Sequence, residues 1–534
     1  MSFLWRWFAT VIVRPKLLLR AIREQLNDDI LTEIFLRPEI DFEDILRISL
    51  ASRRFRILVM PTIFGKQTWT PWRVKCHPFP PQSLWPHIRV FILQGARDGC
   101  LLDSARREFL VSHLEPAVRN MTAAHTFVLT NIGGGIWPRL LETITAAPAL
   151  THLVLDDSPW FGKDRDIFDL PPTLEMPPLR SLAYIVPHAM APSGSPFWAT
   201  AKRPLHRLES EVKNTCAILR ASRSSLEALT LPGELILRSL NSSLGWNSLR
   251  ELYTEGYWPD PADISLLSIL LMMPNLRIAS LRFHPSYRGE SFYVVPSAPA
   301  GLFLPHLQRL EIASLLPGDH LLSVLPSGLE NLAVIEYPPP PDLYRHPQNI
   351  LSASAFLDAL RGVYLPAVTH LELWYVTDAS DERFLRYLPH TFPSLRYLEM
   401  RRFIGPGMDD TWNPGSILQD VLWELKHLRV FAFEPDAPER RNRRPPRCIT
   451  HKYARYIRRL KAIAEEFVLL APWLDRIQMY VGIDDESFWK QWDVVAVPGE
   501  TVRLRPVGLE EYLPEIHAIM EEGPVEAAED SDSE

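Results

Sequence analysis

One short motif returns along most of this 534-residue chain and limits what the chain can fold into. It is a leucine, two residues, a second hydrophobic residue, one residue and a third hydrophobic residue. Successive side chains of a β-strand point to opposite faces, so the last two hydrophobic residues of each copy share one face. The motif therefore predicts many short strands, each with one buried side. The copies are Ile88-Phe91-Leu93, Ala124-Phe127-Leu129, Leu150-Leu153-Leu155, Leu179-Leu182-Tyr184, Leu226-Leu229-Leu231, Leu249-Leu252-Thr254, Leu276-Ala279-Leu281, Leu307-Leu310-Ile312, Leu329-Leu332-Val334, Val368-Leu371-Leu373, Leu395-Leu398-Met400, Leu428-Phe431-Phe433 and Leu474-Ile477-Met479.

Segments with the hydrophobic spacing of helices lie between these copies, at 137–147, 263–273, 353–361, 381–388 and 416–425. A strand followed by a helix, repeated every roughly 20–40 residues, is typical of leucine-rich repeats, whose units stack to share one core. We predict an α/β fold in which residues 88–500 form an irregular leucine-rich-repeat solenoid, a curved parallel sheet with outer helices. A weaker copy at Leu205-Leu208 is expected to add a strand. The alternative is a globular α/β fold with leucine-rich strands.

Residues 24–64 have a different pattern, which predicts short amphipathic helices. Hydrophobic residues recur there at the three-and-four spacing of a helix. Asn27 is positioned to cap the first helix, and Pro38 is expected to end it. A unit of this size buries too little surface to be stable alone, so some of its hydrophobic surface should contact another body. The alternative is an ordinary helical pair within a globular core.

Residues 26–35, LNDDILTEIF, and residues 45–55, ILRISLASRRF, resemble an F-box. The chain departs from that motif at Asn27, where the family usually has proline, and in the segment 37–43. The repeats resemble the irregular repeats of many fungal F-box proteins. This resemblance implies docking to the Skp-type adaptor of a cullin ubiquitin ligase. The adaptor-binding residues it implies are Leu26, Ile30, Leu31, Ile34, Phe35, Ile45, Leu46 and Leu50.

The residues between the buried positions of each strand are expected to face the concave side of the repeats and to bind a protein target. Tyrosine, tryptophan and arginine, which dominate protein–protein hot spots, are common among them. Charges of both signs favour a protein ligand over a polyanion. The alternative is a solvated face without a partner. The predicted target-binding residues are His152, Asp156, Glu251, Tyr253, Arg309, Glu311, His370, Glu372, Trp374, Tyr397 and Arg401, and the same pattern includes Val154, Glu255 and Glu399.

Composition restricts the other classes of function. The net charge is −7 and the pI is about 6.2, which argues against nucleic-acid binding. The four cysteines are far apart, with no CxxC pair, so neither a disulfide framework nor a metal site is expected. No motif pairs a nucleophile with a base, and no cofactor is expected. We therefore predict a non-catalytic protein in a reducing compartment, cytoplasmic or nuclear.

Four further segments complete the predicted organisation. Residues 1–23 are basic and apolar, which is typical either of a membrane-surface or transit segment or, as we favour, of a leading helix beside the F-box. Residues 65–87 are rich in proline and are predicted to be a linker. Arg440–Arg447 is a basic run, either a nuclear localisation signal or polyanion contact, or a solvated loop. Residues 501–534 are predicted to be an acidic, disordered tail.

Together these patterns predict the substrate-recognition subunit of a cullin-type ubiquitin ligase. Its helices would bind the Skp-type adaptor, and its repeat face would bring an unidentified protein target near the ligase. The alternative is a non-catalytic repeat scaffold whose F-box-like helices only cover the end of the solenoid. The sequence does not identify the target, nor whether its recognition requires phosphorylation.

Overall fold

The computed structural model divides into two units, each built from strands and helices. Unit 1 comprises residues 1–186 with 220–222, and unit 2 comprises residues 187–219 with 223–534. The segment 1–23 and the basic run at 440–447 lie outside the described residues. The residues that the structure describes are 27–35, 37, 40–71, 79–95, 104–132, 135–156, 170, 176–185, 205–240, 245–257, 266–284, 304–313, 315–319, 321–336, 350–405, 414–434, 451–483, 486–495 and 503–507.

Unit 1 begins with three short helices: α1 (Asp28–Phe35), α2 (Phe42–Ala51) and α3 (Arg53–Phe64). All three begin at a capping side chain. The predicted cap Asn27 is confirmed, since its side-chain oxygen accepts a hydrogen bond from the backbone N–H of Asp29 (3.3 Å). Asp41 accepts a hydrogen bond from the backbone N–H of Asp44 (2.7 Å), and Ser52 accepts one from Phe55 (3.1 Å). The three helices share a small hydrophobic core of their own, formed by Leu31, Phe35, Ile45, Phe55 and Val59.

The repeats of unit 1 form a parallel sheet in which strand order follows the chain. Each strand pairs in parallel with the next, since a helix or loop returns the chain to the same end. Two helices, α4 (Ser104–Asn120) and α5 (Pro138–Thr145), connect neighbouring strands. The strands are β1 (Lys66–Trp69), β2 (Val90–Gln94), β3 (Thr126–Thr130), β4 (His152–Asp156) and β5 (Ser181–Ile185).

The segment 65–87 differs from the linker that its proline content predicts. It contains β1, which pairs with β2, and a 3-10 helix at Gln82–His87. Lys66–Trp69 has no leucine motif, so the strand is not recognisable from its hydrophobic pattern. Its backbone groups nevertheless find partners along the edge of β2. The sheet therefore begins one strand earlier than predicted.

Unit 2 continues the same strand-and-helix pattern. Its strands are β6 (Ala228–Pro232), β7 (Glu251–Tyr257), β8 (Ile278–His284), β9 (Arg309–Ala313), β10 (Asn331–Ile335), β11 (His370–Val376), β12 (Tyr397–Phe403), β13 (Val430–Glu434), β14 (Arg476–Ile483), β15 (Glu486–Val495) and β16 (Arg503–Val507). Its helices are α6 (Leu205–Ser222, whose last three residues belong to unit 1), α7 (Gly233–Leu240), α8 (Leu266–Leu271), α9 (Ala353–Ala359), α10 (Asp381–Thr391), α11 (Pro414–Glu424) and α12 (His451–Leu470), with a 3-10 helix at Leu321–Val324.

Strands β6 to β14 pair in parallel, each with its neighbour along the chain. The last two pairings, β14 with β15 and β15 with β16, are antiparallel. Only two residues separate β14 from β15, too few for the helix of a repeat, and a parallel pairing would need a much longer connection. The repeats therefore end before residue 500, and β16 lies inside the segment that its acidic composition predicted to be disordered.

The predicted interior positions are confirmed throughout the motif. Its first, fourth and sixth residues are buried in every copy from Ile88 to Met479. Burial alternates along the strands as expected. In β2, β3 and β4 the second and fourth residues are buried, and the other three are half-buried. The weaker copy at Leu205-Leu208 is wrong, because both residues lie in α6 rather than in a strand. Two leucines three residues apart also fit one turn of a helix, so the spacing of Leu205 and Leu208 alone does not distinguish a strand from a helix.

Candidate functional site

The N-terminal helices divide the predicted adaptor-binding residues into two groups. Leu31, Phe35 and Ile45 are buried in the core of these helices, so their assignment as contact residues is corrected. They hold the helices together, and Ile34 packs against the same core. Leu26 lies outside the described residues.

The other predicted residues, Ile30, Leu46 and Leu50, are 47%, 38% and 75% exposed. Phe42 and Ile57, which were not predicted, are each 57% exposed. Phe42, Leu46 and Leu50 follow one another at four-residue spacing, so they form one stripe along α2. We call these five residues the exposed hydrophobic set.

Two charged residues of the same segment join its first and last helices. The Nε and Nη2 atoms of Arg54 donate to one carboxylate oxygen of Asp28, at 2.8 and 2.6 Å. Asp28 lies in the first turn of α1, where a negative charge also interacts favourably with the helix dipole. The sequence indicated only that the motif begins acidic and ends basic.

Two predicted target-binding residues, His152 and Asp156, lie on β4 of unit 1, and both are half-buried. The ring centroid of His152 is 5.8 Å from that of His125. Asp156 accepts a hydrogen bond from the hydroxyl of Thr130 at 3.1 Å. The other predicted target-binding residues all belong to unit 2.

In unit 2 the strand register arranges the predicted residues in three rows across the sheet. The first row contains Glu251, Arg309, His370 and Tyr397, and the second contains Tyr253, Glu311, Glu372 and Glu399. The third contains Trp374, Arg401 and Glu434. Neighbouring strands lie roughly 4.8 Å apart, so members on neighbouring strands, such as His370 and Tyr397, are close enough to interact. Glu251 and Arg309 are separated by strand β8, and Arg309 and His370 by strand β10.

The strongest grouping on this face is an acid–aromatic patch on strands β11 to β14. Its members are Glu372, Trp374, Tyr397, Glu399, Arg401, Glu434, Gln478 and Tyr480. Tyr397 donates its hydroxyl to Glu399 (3.0 Å), and the indole N–H of Trp374 is donated to Glu372 (3.0 Å). Aromatic donors therefore fix the orientation of two carboxylates.

Arg401 lies at the centre of this patch. Its guanidinium carbon is 4.1 Å from the ring centroid of Trp374 and 4.3 Å from that of Tyr480. Its Nε atom donates to Glu399 at 3.1 Å and lies 3.8 Å from a carboxylate oxygen of Glu434. The patch thus holds a cation between two aromatic faces and two acids, an arrangement that both the ring quadrupoles and the charges stabilise.

Burial changes the acid–base behaviour of three residues here. It raises the pKa of Glu372 to about 7, and the charge of Glu399 adds to the increase while Arg401 opposes it. Burial also raises the pKa of Tyr397, with the charge of Glu399 as a further cause. The pKa of His370 is lowered by burial and by nearby arginines. Near neutral pH, Glu372 therefore exists in both charge states.

Three members of the patch, Glu434, Gln478 and Tyr480, were missed by sequence reasoning. Glu434 follows the last hydrophobic residue of the copy on β13, and the other two flank Met479 on β14. The alternation used for the earlier strands would have found them. Their proximity to Arg401 was not predictable, because it depends on how closely the last repeats stack.

The strands and helices of each unit define a leucine-rich-repeat type of fold, a class of repeat scaffold. No family model matches the chain, and no curated protein matches its sequence. Among solved structures, the crystal structure of a TLR13–ssRNA13 complex aligns with a TM-score of 0.22 and 12% identity, over 70% of this chain and 58% of that chain. A TM-score this low carries no argument about function.

The described residues also lack the features of two other kinds of site. They contain no group of three or more histidine, cysteine, aspartate or glutamate side chains placed to hold a metal ion. Within the same residues, no helix combines the length and the apolar composition needed to cross a bilayer.

Proposed function

We propose that this protein is a non-catalytic receptor that binds a protein target through the strand face of its repeats. The support is the acid–aromatic patch, where tyrosine, tryptophan and arginine side chains are held in fixed orientations. Such side chains contribute binding energy at low entropic cost, since the contacts within the patch already immobilise them. The receptor acts by bringing its target close to other proteins, so no bond is made by this chain itself.

We further propose that its N-terminal helices dock a Skp-type adaptor and so deliver the target to a cullin ubiquitin ligase. The support is the resemblance of residues 26–55 to an F-box, together with the exposed hydrophobic set. A stripe of three large hydrophobic residues on a helix of ten residues is costly in water. A partner that covers Phe42, Leu46 and Leu50 would remove that cost.

The test is recovery of a recombinant Skp-type adaptor by the full chain. Leu46→Glu with Leu50→Glu places charges on the exposed stripe and leaves the core of the helices intact. We expect binding to weaken more than about tenfold, as when a hot spot is disrupted.

The matched control is Leu271→Glu with Leu469→Glu, since these leucines are exposed to a similar degree (43% and 66%) on other helices. We expect it to bind the adaptor like the wild type. Equal adaptor recovery by both variants and the wild type would refute the adaptor role. Thermal melting by circular dichroism establishes that each variant is folded.

A second function, a repeat scaffold whose helices cover the end of the sheet, is favoured by a different observation. The carbonyl of Gly65, directly after α3, accepts the N–H groups of Arg89 (2.8 Å) and Val90 (2.7 Å). Helix α3 also contacts β1 and the 3-10 helix that follows. If this is the only role of the helices, deleting residues 1–64 should lower the melting temperature of the repeats, and the stripe variant should leave adaptor recovery unchanged.

A further inference from the structure

The strand face of unit 1 carries a row of aliphatic side chains. Each member is the residue between the last two hydrophobic residues of its motif copy, so it points away from the core. Their strands are consecutive, and their Cα atoms are partners in the register of the sheet. All four members are half-buried. We call them the aliphatic row: Ile92, Val128, Val154 and Ala183.

The motif does not require a hydrophobic residue at this position. The equivalent row of unit 2 carries three glutamates, and half of its members are polar and uncharged. Its members are Tyr253, Ser280, Glu311, Ala333, Glu372, Glu399, Ala432 and Gln478. The two units therefore present faces of different chemistry, and an aliphatic face open to water is typical of a surface that a partner covers.

The edge at which the strands of unit 1 begin is basic. Backbone hydrogen bonds connect its residues from strand to strand. The carbonyl of Gly65 accepts the N–H of Arg89 (2.8 Å), and that of Arg89 accepts the N–H of His125 (3.0 Å). The carbonyl of His125 accepts the N–H of Thr151 (2.9 Å), which in turn accepts that of Arg180 at its own carbonyl (2.7 Å). We call the basic residues at this edge the basic rim: Lys66, Arg89, His125, His152 and Arg180.

The basic rim has no acid among its own positions. Neither the first residue of each strand from β1 to β5 nor the residue before it is aspartate or glutamate. Lys66 and Arg89 are exposed, and neither forms an ion pair within the described part of the chain. The rings of His125 and His152 lie side by side, with their centroids 5.8 Å apart. The rim therefore presents positive charge to a ligand.

The basic rim and the aliphatic row are close enough to contact one ligand. His152 and Val154 lie on the same side of β4, two residues or about 7 Å apart. The four strands of the row span about 14 Å, which an extended segment of four or five residues can cross. A short segment can therefore place side chains on both surfaces at once.

Charge complementarity selects the ligand. Carboxylates would pair with the rim, whereas basic side chains would be repelled by it. The whole chain has a net charge of −7, so attraction of an acidic ligand must come from the rim itself. Aliphatic side chains on the same ligand would remove the row from water. A nucleic acid would gain less, because its bases stack on aromatic rings and the row contains none.

We propose that the strand face of unit 1 binds a segment of the protein target that combines acidic and aliphatic side chains. This inference rests on the proposed receptor function and assigns a class of target segment to unit 1. The aliphatic side chains of the segment cover the aliphatic row, and its carboxylates pair with the basic rim.

The test uses the full chain and a fluorescent, end-blocked peptide of alternating aspartate and leucine, with binding followed by fluorescence polarisation. Arg89→Glu reverses one charge of the rim, and Val128→Asp places a carboxylate in the middle of the row. We expect each to weaken binding roughly tenfold or more. Thr151→Arg adds a cation to the rim and should strengthen binding roughly threefold, a gain that misfolding cannot produce.

Three controls accompany these variants. Arg119→Glu reverses a charge on helix α4, where the side chain is 65% exposed, and should leave the affinity unchanged. A peptide with lysine in place of aspartate should not bind, and one with serine in place of leucine should bind roughly tenfold more weakly. Thermal melting by circular dichroism establishes that each variant is folded.

Equal affinity of wild type, Arg89→Glu and Thr151→Arg for the aspartate–leucine peptide would overturn the inference. Binding of the lysine peptide, or displacement of the aspartate–leucine peptide by an oligonucleotide of deoxythymidine, would overturn it as well. Affinity that increases when the acids of residues 521–534 are replaced by serine would assign the face to this chain's own acidic segment rather than to a target.

Failure of this inference and failure of the receptor function can be distinguished. Trp374→Ala changes the acid–aromatic patch of unit 2 and leaves unit 1 unaltered. If the aspartate–leucine peptide does not bind, but Trp374→Ala releases proteins that the wild-type chain captures from a lysate, the inference about unit 1 fails and the receptor function stands.

Discussion

A buried ion pair in unit 2 gives the sharpest stability prediction. Asp381 begins helix α10, and Arg402 lies on β12; they are 5% and 4% exposed. The Nε and Nη2 atoms of Arg402 donate to the same carboxylate oxygen of Asp381, at 2.9 and 2.7 Å. Asp381→Ala removes a carboxylate partner from a buried guanidinium, and the loss of one member of a buried pair costs about 3–5 kcal/mol. We therefore expect Asp381→Ala to lower the free energy of unfolding by about that amount.

The pair can be exchanged for hydrophobic residues at much lower cost, because no charge then remains buried. The double variant Asp381→Leu with Arg402→Met should consequently recover most of the loss seen in Asp381→Ala. Glu382→Ala, which changes the next residue to break an exposed pair, should alter the stability little.

The assay is urea unfolding followed by circular dichroism, with hydrogen exchange of β11 and β12 as a local measure because repeat arrays do not always unfold in one step. A loss below about 1 kcal/mol in Asp381→Ala would contradict the reasoning, since that is the value of an exposed pair. A double variant less stable than Asp381→Ala would also contradict it.

Two further predictions concern single residues of unit 2. Burial raises the pKa of Glu336 from 4.5 to about 7, so the folded state binds this proton more tightly than the unfolded state. The free energy of unfolding should therefore fall by about 3 kcal/mol as the pH rises from about 4.5 to 7. Urea unfolding of Glu336→Gln over the same pH range should lack this fall, and an equal fall in the variant and the wild type would contradict the assignment. Gly405→Ala would place a Cβ atom 2.2 Å from the backbone oxygen of Thr377, whereas Gly328→Ala meets nothing within 4 Å. Gly405→Ala should therefore cost about 1–3 kcal/mol of stability and lower the melting temperature. A melting temperature equal to that of Gly328→Ala would refute the clash.

Much of the repeat fold was predictable because each motif is local. A strand with residues such as Leu371 and Leu373 on one side must place Glu372 on the other, since side chains alternate. Helical spacing likewise located α10 and α11 to within a few residues of their observed ends. The same alternation placed Trp374, Tyr397 and Arg401 on the strand face opposite the buried leucines, where all three are half-buried.

Prediction of contact residues on the N-terminal helices was less successful. Hydrophobic spacing identifies the side of a helix that avoids water, but it does not distinguish packing within the unit from contact with a partner. Leu31 and Phe35 contribute to the core, whereas Ile30 and Leu50 are exposed. Only the packing of three helices against one another separates these roles.

The sequence by itself determined the period of the repeats, the buried positions of every copy and the face on which the polar residues lie, because all three follow from the geometry of a single strand. The tertiary structure decided which residues of different strands become neighbours. It brings Arg401 between Trp374 and Tyr480, pairs Arg402 with Asp381, and adds β1, β15 and β16 to the strands that the motif predicts. These contacts join residues far apart in the chain, and they depend on the stacking and register of whole repeats, which no local pattern records.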